Sequence, residues 1–241
     1  MPRFFVKEVT GTTATLLGED AAHAIKSLRM RTGEELTLCD ETGVDHQCVI
    51  TAVAPDCVQL NVVKSVQNVA ELPCRVSLYQ ALPKGDKLET IVQKAVELGV
   101  YDITPVLTSR CISRPDDKSM NKRLERLNKI ALEAAKQCGR GIVPRVHPLV
   151  SYSEALRQMQ KAAVPILCYE GGGESLGNIL EKGASGAIAV CIGSEGGFSP
   201  EEAAQAQSTG LATATLGSRI LRTETAPLFA LSVISFLLET R

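Results

Sequence analysis

Two periods divide the chain. Over its first third, apolar and polar positions alternate in short runs, the period-2 signature of half-buried strands. The spacing predicts strands over 3–9, 12–17, 35–40, 47–53 and 57–64, each bounded by Gly, Asp or Pro, with one helical stretch over 20–30. Short strands at such regular spacing fit a small barrel. Residues 65–73, ending at Pro73, read as a linker. From residue 74 the pattern changes. Apolar runs at 76–82, 101–107, 164–169, 187–192 and 212–216 alternate with helical patterns, those at 86–98 and 119–138 being the clearest. That alternation is the mark of a parallel sheet covered by helices on both faces. The expected organisation is therefore an N-terminal barrel over 1–70 and an α/β domain over 74–241.

The helical pattern at 119–138 carries two faces. Ser119 is placed to cap it. Leu124, Leu127, Ala131, Ala134 and Cys138 recur at three- and four-residue spacing and form an apolar stripe. Lys122, Arg126, Lys129 and Lys136 follow a similar spacing on another face. That face is either solvated, with Glu125 and Glu133 as local partners, or turned to phosphates. Charge bears on the choice. The chain is nearly neutral, at −1, which argues against indiscriminate coating of nucleic acid. Residues 110–145, however, hold ten Lys/Arg and four acids, +6 against −7 for the rest, which concentrates basic character on one segment.

Composition excludes other classes. Apolar residues make up 44% and charged residues 22%, as in an ordinary globular protein. No apolar run reaches the ~18–20 residues that span a bilayer, and the N-terminus is charged from Arg3 onward, so no membrane anchor or leader is expected and the cytoplasm is the expected location. None of the eight cysteines pairs as Cys-x-x-Cys, so they read as reduced core thiols, and no metal site is expected.

Two segments carry candidate chemistry. At 192–202 an apolar run enters a turn containing Gly193, Gly196 and Gly197, then a helix start in which Ser199 can cap, Pro200 suits the first turn and Glu201 and Glu202 suit the positive helix end. Glycines let a ligand approach backbone amides closely. At 216–226 a second run leads through Leu216, Gly217, Ser218, Arg219, Ile220, Leu221, Arg222, Thr223 and Glu224 to an almost wholly apolar helix over 228–238, with Thr223 as the expected cap. Familiar alternatives fail. Neither the dinucleotide fingerprint nor the phosphate loop is present. The nucleophile elbow lacks its first glycine, because Ile192 stands there, and every histidine (23, 46 and 147) precedes Ser194. A four-residue match to the loop of KH domains joins a strand to a helix, where that loop joins two helices.

At these residues the sequence resembles the RsmE family, the ribosomal RNA uridine N3-methyltransferases of the SPOUT superfamily. The family's Gly-Pro-Glu-Gly-Gly-Phe-Ser loop is similar to Gly193 through Ser199, with Ser194 replacing the proline. Its Leu-Gly-x-Arg-Ile-Leu-Arg-x-Glu-Thr-Ala run matches Leu216 through Ala226. Its Lys-x-x-Glu-Leu-Gly helix end is similar to Lys94 through Gly99, its Glu-Ala-x-x-Gln-x-Gly-Arg segment to Glu133 through Arg140, and its His-x-x-x-x-Leu-Arg pattern to His23 through Arg29. A second departure lies at 109–113, Ser-Arg-Cys-Ile-Ser, where the family commonly has Ser-Val-Val after Arg.

The resemblance implies a PUA-like barrel followed by a SPOUT domain with a deep trefoil knot, a homodimer, and S-adenosylmethionine as cofactor. It implies a target uridine in small-subunit ribosomal RNA, either as naked RNA or in the assembled subunit. Tyr169, Ile192, Gly193, Gly196, Gly197, Leu216, Gly217, Ile220, Leu221 and Arg222 would hold the cofactor. Arg222 would stabilise negative charge on the uracil. Glu224 and Glu195 would serve as general base, or Glu224 would anchor Arg219 or cap the helix. Arg3, His23, Lys26, Arg29 and Arg31 in the barrel, and Arg110, Lys122, Arg126, Lys129 and Arg140 in the basic segment, would contact RNA. A related enzyme acting on a ribose 2′-OH or another base, and a non-catalytic RNA-binding protein, are the competing readings.

Overall fold

The computed structural model describes residues 1–183 and 186–240. Its contacts divide the chain into two compact units, Met1–Glu71 with Ala135–Val143, and Leu72–Ala134 with Pro144 onward. No helix among the described residues is long and apolar enough to cross a membrane.

In the first unit, β1 (Arg3–Val6), β2 (Thr13–Leu17), β3 (Glu35–Asp40), β4 (Val44–Ala54) and β5 (Cys57–Gln67) form one sheet in the order β1-β3-β4-β5-β2. β1 runs parallel to β3, and the remaining pairs are antiparallel. Alternation places Leu36, Leu38, Cys48, Ile50, Val58 and Leu60 together with Phe4 and Leu16 in one core, closed by Ala21 and Ala24. Each buried Leu or Ile there stabilises the unit by roughly 1.5–3 kcal/mol. The helical stretch expected over 20–30 is shorter: α1 (Gly18–Ala22) passes into one π-turn over His23–Ser27. It stops because Arg29 takes a left-handed conformation, φ 56°, the usual way a helix is ended.

The opposite face of β3 is covered too. The Cys39 thiol donates to the Gly141 carbonyl at 3.1 Å. The Glu71 carboxylate accepts from the Arg140 guanidinium and from the backbone N–H groups of Gly141 (2.9 Å) and Ile142 (3.2 Å). Residues 65–67, expected in a linker, instead extend β5. Asn68 bonds onward to Asp45 and to the Gly139 carbonyl. Within the same sheet Asp40 accepts from the Thr42 N–H (2.9 Å), the Thr42 hydroxyl (2.7 Å) and the Val44 N–H (3.1 Å), and its other oxygen faces His46 Nε2 at 3.0 Å. Burial alone would raise this carboxyl. Its bonds, that with His46 first, hold it down at about 2.

The second unit is α/β with a wholly parallel sheet, as expected. Its strands are β6 (Val76–Ala81), β7 (Asp102–Leu107), β8 (Arg145–Val146), β9 (Val150–Ser151), β10 (Val164–Cys168), β11 (Glu174–Ser175), β12 (Ile188–Ile192) and β13 (Ala212–Thr215). The order is β11-β13-β10-β12-β6-β7-β8, with β9 also on β7. The helices are α2 (Lys87–Glu97), α3 (Asp117–Cys138), α4 (Tyr152–Met159), α5 (Leu176–Gly183), α6 (Pro200–Ser208) and α7 (Ala226–Glu239). Leu127, Ala131 and Ala134 of the α3 stripe are buried. Ser119 is not its cap: the Asp116 side chain accepts from the Ser119 N–H at 2.7 Å, so the helix begins two residues earlier. None of the eight cysteines forms a disulfide, and Cys39, Cys48, Cys111, Cys168 and Cys191 are buried.

Candidate active site

β13, β10 and β12 are neighbours in the sheet and end at Thr215, Cys168 and Ile192. Parallel strands end on one edge, so the loops that follow them converge, and in open α/β sheets this edge is where ligands bind. The three loops enclose a cavity of about 350 Å³, in the range for a nucleoside-sized ligand. Tyr169, Ile192, Gly193, Gly196, Gly197, Leu216, Gly217, Ile220 and Leu221 all line it. Arg222 does not. It is exposed, and its carbonyl accepts from the Thr225 and Ala226 N–H groups in the turn that opens α7. Glu170, Ser194, Ser218 and Arg219 also line the cavity. Ser194, Ser218 and Arg219 lie within the two segments singled out in the sequence, whereas Glu170 is signalled there only by the glycine beside it.

The glycines have specific work here. Gly197 has φ +64°, and a Cβ on it would lie 2.0 Å from Glu170 Oε1. A Cβ on Gly193 would meet the Gly197 Cα at 3.0 Å, so neither position accepts a side chain without movement. Gly217 has φ +92° with open space beside it, the backbone cradle that a closely approaching ligand requires.

Each loop is tied to its neighbours. Ser199 caps α6 as expected, and Glu202 closes a reciprocal capping box with Pro200 in the first turn. Glu202 is buried, and its second oxygen accepts from the Ser109 N–H at 2.7 Å, joining the 108–111 loop to the site. Arg110 Nη1 donates to the Gly196 carbonyl at 2.9 Å. The Ser194 hydroxyl, at the position of the family's proline, donates to the Arg110 carbonyl at 3.4 Å. Thr223 does not cap α7. Thr225 holds the N-cap position without a side-chain capping bond, and the Thr223 hydroxyl instead donates to the Gly193 carbonyl.

The two candidate carboxylates meet at one cation. Lys87 Nζ lies 2.9 Å from Glu195 Oε1 and 3.2 Å from Glu224 Oε2, so Glu224 anchors to Lys87 rather than to Arg219. Burial would raise the Glu195 carboxyl, but the Lys87 bond together with the backbone N–H groups of Glu195 and Lys84 brings the net shift downward. Glu224 is lowered by its own backbone N–H and by Lys87. Both are therefore ionised and already engaged at neutral pH.

The basic residues separate into exposed and paired sets. His23, Lys26, Arg29 and Arg31 in the first unit are exposed, with His23 edge-on to Phe4. Arg3 and Arg140, expected to face RNA, are instead internal: Arg3 forms a two-bond ion pair with Asp45 at 2.5 and 2.7 Å, and Arg140, 2% exposed, pairs with Glu71. On α3, Lys122 and Lys129 are exposed, while Arg126 pairs with Glu89 at 2.7 Å.

Residues 70–235 match the model of an RNA methyltransferase domain, and residues 16–63 that of an RNA methyltransferase PUA domain. Ribosomal RNA small subunit methyltransferase E of Bacillus subtilis is 36% identical over 99% of this chain and 98% of its own length. The crystal structure of ribosomal RNA small subunit methyltransferase E from Neisseria gonorrhoeae bound to S-adenosyl methionine is similar at a TM-score of 0.88, 36% identical over 98% of both chains. A Legionella pneumophila protein solved with the cofactor SAM reaches a TM-score of 0.86 at 30% identity, over 98% of this chain and 97% of its own. The chain therefore belongs to the RNA methyltransferase family that includes ribosomal RNA small subunit methyltransferase E.

Proposed function

We propose that the protein methylates N3 of a uridine in small-subunit ribosomal RNA, using S-adenosylmethionine. The observation that carries this reading is the cavity at the ends of β10, β12 and β13, walled by the two glycine loops and sized for a nucleoside. The donor set suits that cofactor. Backbone amides and carbonyls of residues 193–197 and 216–221 can hold an adenine and its sugar, and the Glu170 carboxylate beside Gly197 offers an acceptor for hydroxyl or ammonium groups. When bound, the cofactor supplies an electrophilic methyl group on a sulfonium.

The protein's own task is alignment and charge. The loops orient the methyl donor against an exposed base. Arg222 stabilises the negative charge that the uracil ring carries once N3 has lost its proton. Glu195 and Glu224, both facing Lys87, act in positioning rather than as general base.

The same reading extends to the rest of the molecule. The sheet of the first unit closes as a PUA-like barrel, and the second unit carries the trefoil knot of its superfamily. The protein works in the cytoplasm on naked RNA or the assembled subunit. It forms a homodimer through α7, where Phe229 is 40% and Phe236 64% exposed on an otherwise apolar helix. RNA contacts come from His23, Lys26, Arg29 and Arg31 in one unit and from Arg110, Lys122 and Lys129 in the other, with a smaller share from Arg126, which is paired with Glu89.

Nucleoside analysis of ribosomal RNA from cells with and without the protein tests the reading. N3-methyluridine at one small-subunit position should vanish with the gene. Loss of a ribose-methylated nucleoside instead would assign the chain to the 2′-OH chemistry.

A further inference from the structure

Lys87 occupies a position that helix electrostatics disfavour. It is the first residue of α2, where unpaired N–H groups make the helix end positive and an acid is the stabilising choice. Asp86 before it makes no side-chain capping bond. The lysine's partners account for its placement. Glu195 belongs to the loop after β12 and Glu224 to the loop after β13, so one ammonium bridges two loops that leave different strands and line one cavity. The Lys84 N–H also donates to Glu195, at 3.2 and 3.4 Å to its two oxygens, holding the carboxylate over the turn into α2. That turn is held in its own right, because Arg123 Nη2 donates to the Gly85 carbonyl at 2.6 Å.

We propose that Lys87 is a positioning residue that sets the separation of the two cofactor loops and, through Glu224, the placement of Arg222. The proposal rests on the reading of the cavity as the cofactor site. The three side chains are about 28–33% exposed, so the pairs add little to global stability. Their value is geometric. One cation hydrogen-bonds one carboxylate and lies at ion-pair distance from a second that would otherwise repel the first, and separating the loops there breaks one of the pairs. The raised Lys87 and the lowered Glu195 and Glu224 agree with a tie that persists across neutral pH.

The test uses the full chain with Lys87→Met and Lys87→Arg. Amide hydrogen exchange over 193–198 and 217–225 reads the loops directly, and calorimetric titration of S-adenosylhomocysteine reads the cavity. Lys87→Met should speed exchange in both segments and weaken S-adenosylhomocysteine binding about tenfold or more, with little change in melting temperature. Lys87→Arg should restore both. In a Glu195→Gln, Glu224→Gln background, Lys87→Met should add almost nothing. Parental exchange in Lys87→Met, failure of arginine to restore it, or full additivity in that background would each overturn the proposal. A parental protein that does not bind S-adenosylhomocysteine overturns the cofactor reading instead, and the exchange arm still decides the tie.

Discussion

The Thr223 hydroxyl donates to the Gly193 carbonyl at 2.8 Å, joining two loops 30 residues apart in sequence. Fully buried Gln80 completes the junction, its Nε2 donating to Thr223 Oγ1 at 3.3 Å and to the Gly193 carbonyl at 3.4 Å. Thr223→Val keeps the shape and leaves these buried groups short of a partner. It should cost about 1–3 kcal/mol in stability and weaken S-adenosylhomocysteine binding, while Thr223→Ser should be nearly neutral. A valine variant with the parental denaturation midpoint would show the junction to be idle.

Gly217→Val combines two penalties. The backbone at φ +92° is strained for any β-branched residue, and the side chain would fill space now open beside the cavity. Cofactor binding should be lost to calorimetry while far-UV circular dichroism stays parental. Retained affinity would place the cofactor elsewhere.

Arg222→Ala separates chemistry from binding. If Arg222 stabilises the uracil anion, the single-turnover rate should fall by ~10²–10³, with cofactor affinity intact, as expected for a side chain outside the cavity lining. Glu224→Gln should act differently. A carboxylate whose acidity is already enhanced makes a poor base, so its loss should lower the rate by far less than the ~10²–10⁴ of a general base, without rescue at high pH. A large, pH-rescued defect would restore Glu224 to the role of base.

In the first unit, Asp40 links structure to pH. Its carboxyl sits at about 2 against an ordinary 3.8, so the folded state binds fewer protons than the unfolded chain between those values. The resulting stability, about 2 kcal/mol, is complete above pH 4 and is lost as the pH falls toward 2. Asp40→Asn should speed hydrogen exchange in β3 and β4 at neutral pH and flatten its acid dependence. An acid profile unchanged in the variant would assign the transition to another carboxylate.

Salt dependence distinguishes the exposed face of α3 from its paired members. Lys122→Ala and Lys129→Ala should each flatten the slope of log affinity for the target RNA against log salt by roughly 0.7–0.9. Arg126, already on Glu89, should contribute less. Parental slopes in both lysine variants would leave the face merely solvated.

How far the sequence predicts these features depends on distance along the chain. Strand 35–40 is predicted residue for residue, because Leu36 and Leu38 alternate within one segment and bury on one side. The cap at Ser199 is local and legible for the same reason. The cavity-lining glycines are legible because strand ends punctuate the pattern. Thr223 looks like a cap from its neighbours alone, and only the Gly193 carbonyl, far away in sequence, reveals its role. Arg3 and Arg140 look like free cations for the same reason: Asp45 and Glu71 lie 42 and 69 residues away. Lys87 gives only a faint local sign, a cation at the wrong end of a helix.

The closing of the first unit by residues 135–143 constrains how this chain is made. Translation delivers β1 through β5 and Glu71 long before Arg140 and the amides of Gly141 and Ile142 that satisfy the Glu71 carboxylate. At ~5–20 residues per second, the wait for Val143 is several seconds. During that interval the nascent sheet has Cys39 and Glu71 uncovered, so the N-terminal unit matures out of order with its synthesis. A fragment severed after Glu71 would remain in that unfinished state indefinitely, and only a segment carrying 135–143, supplied in cis or in trans, would complete it.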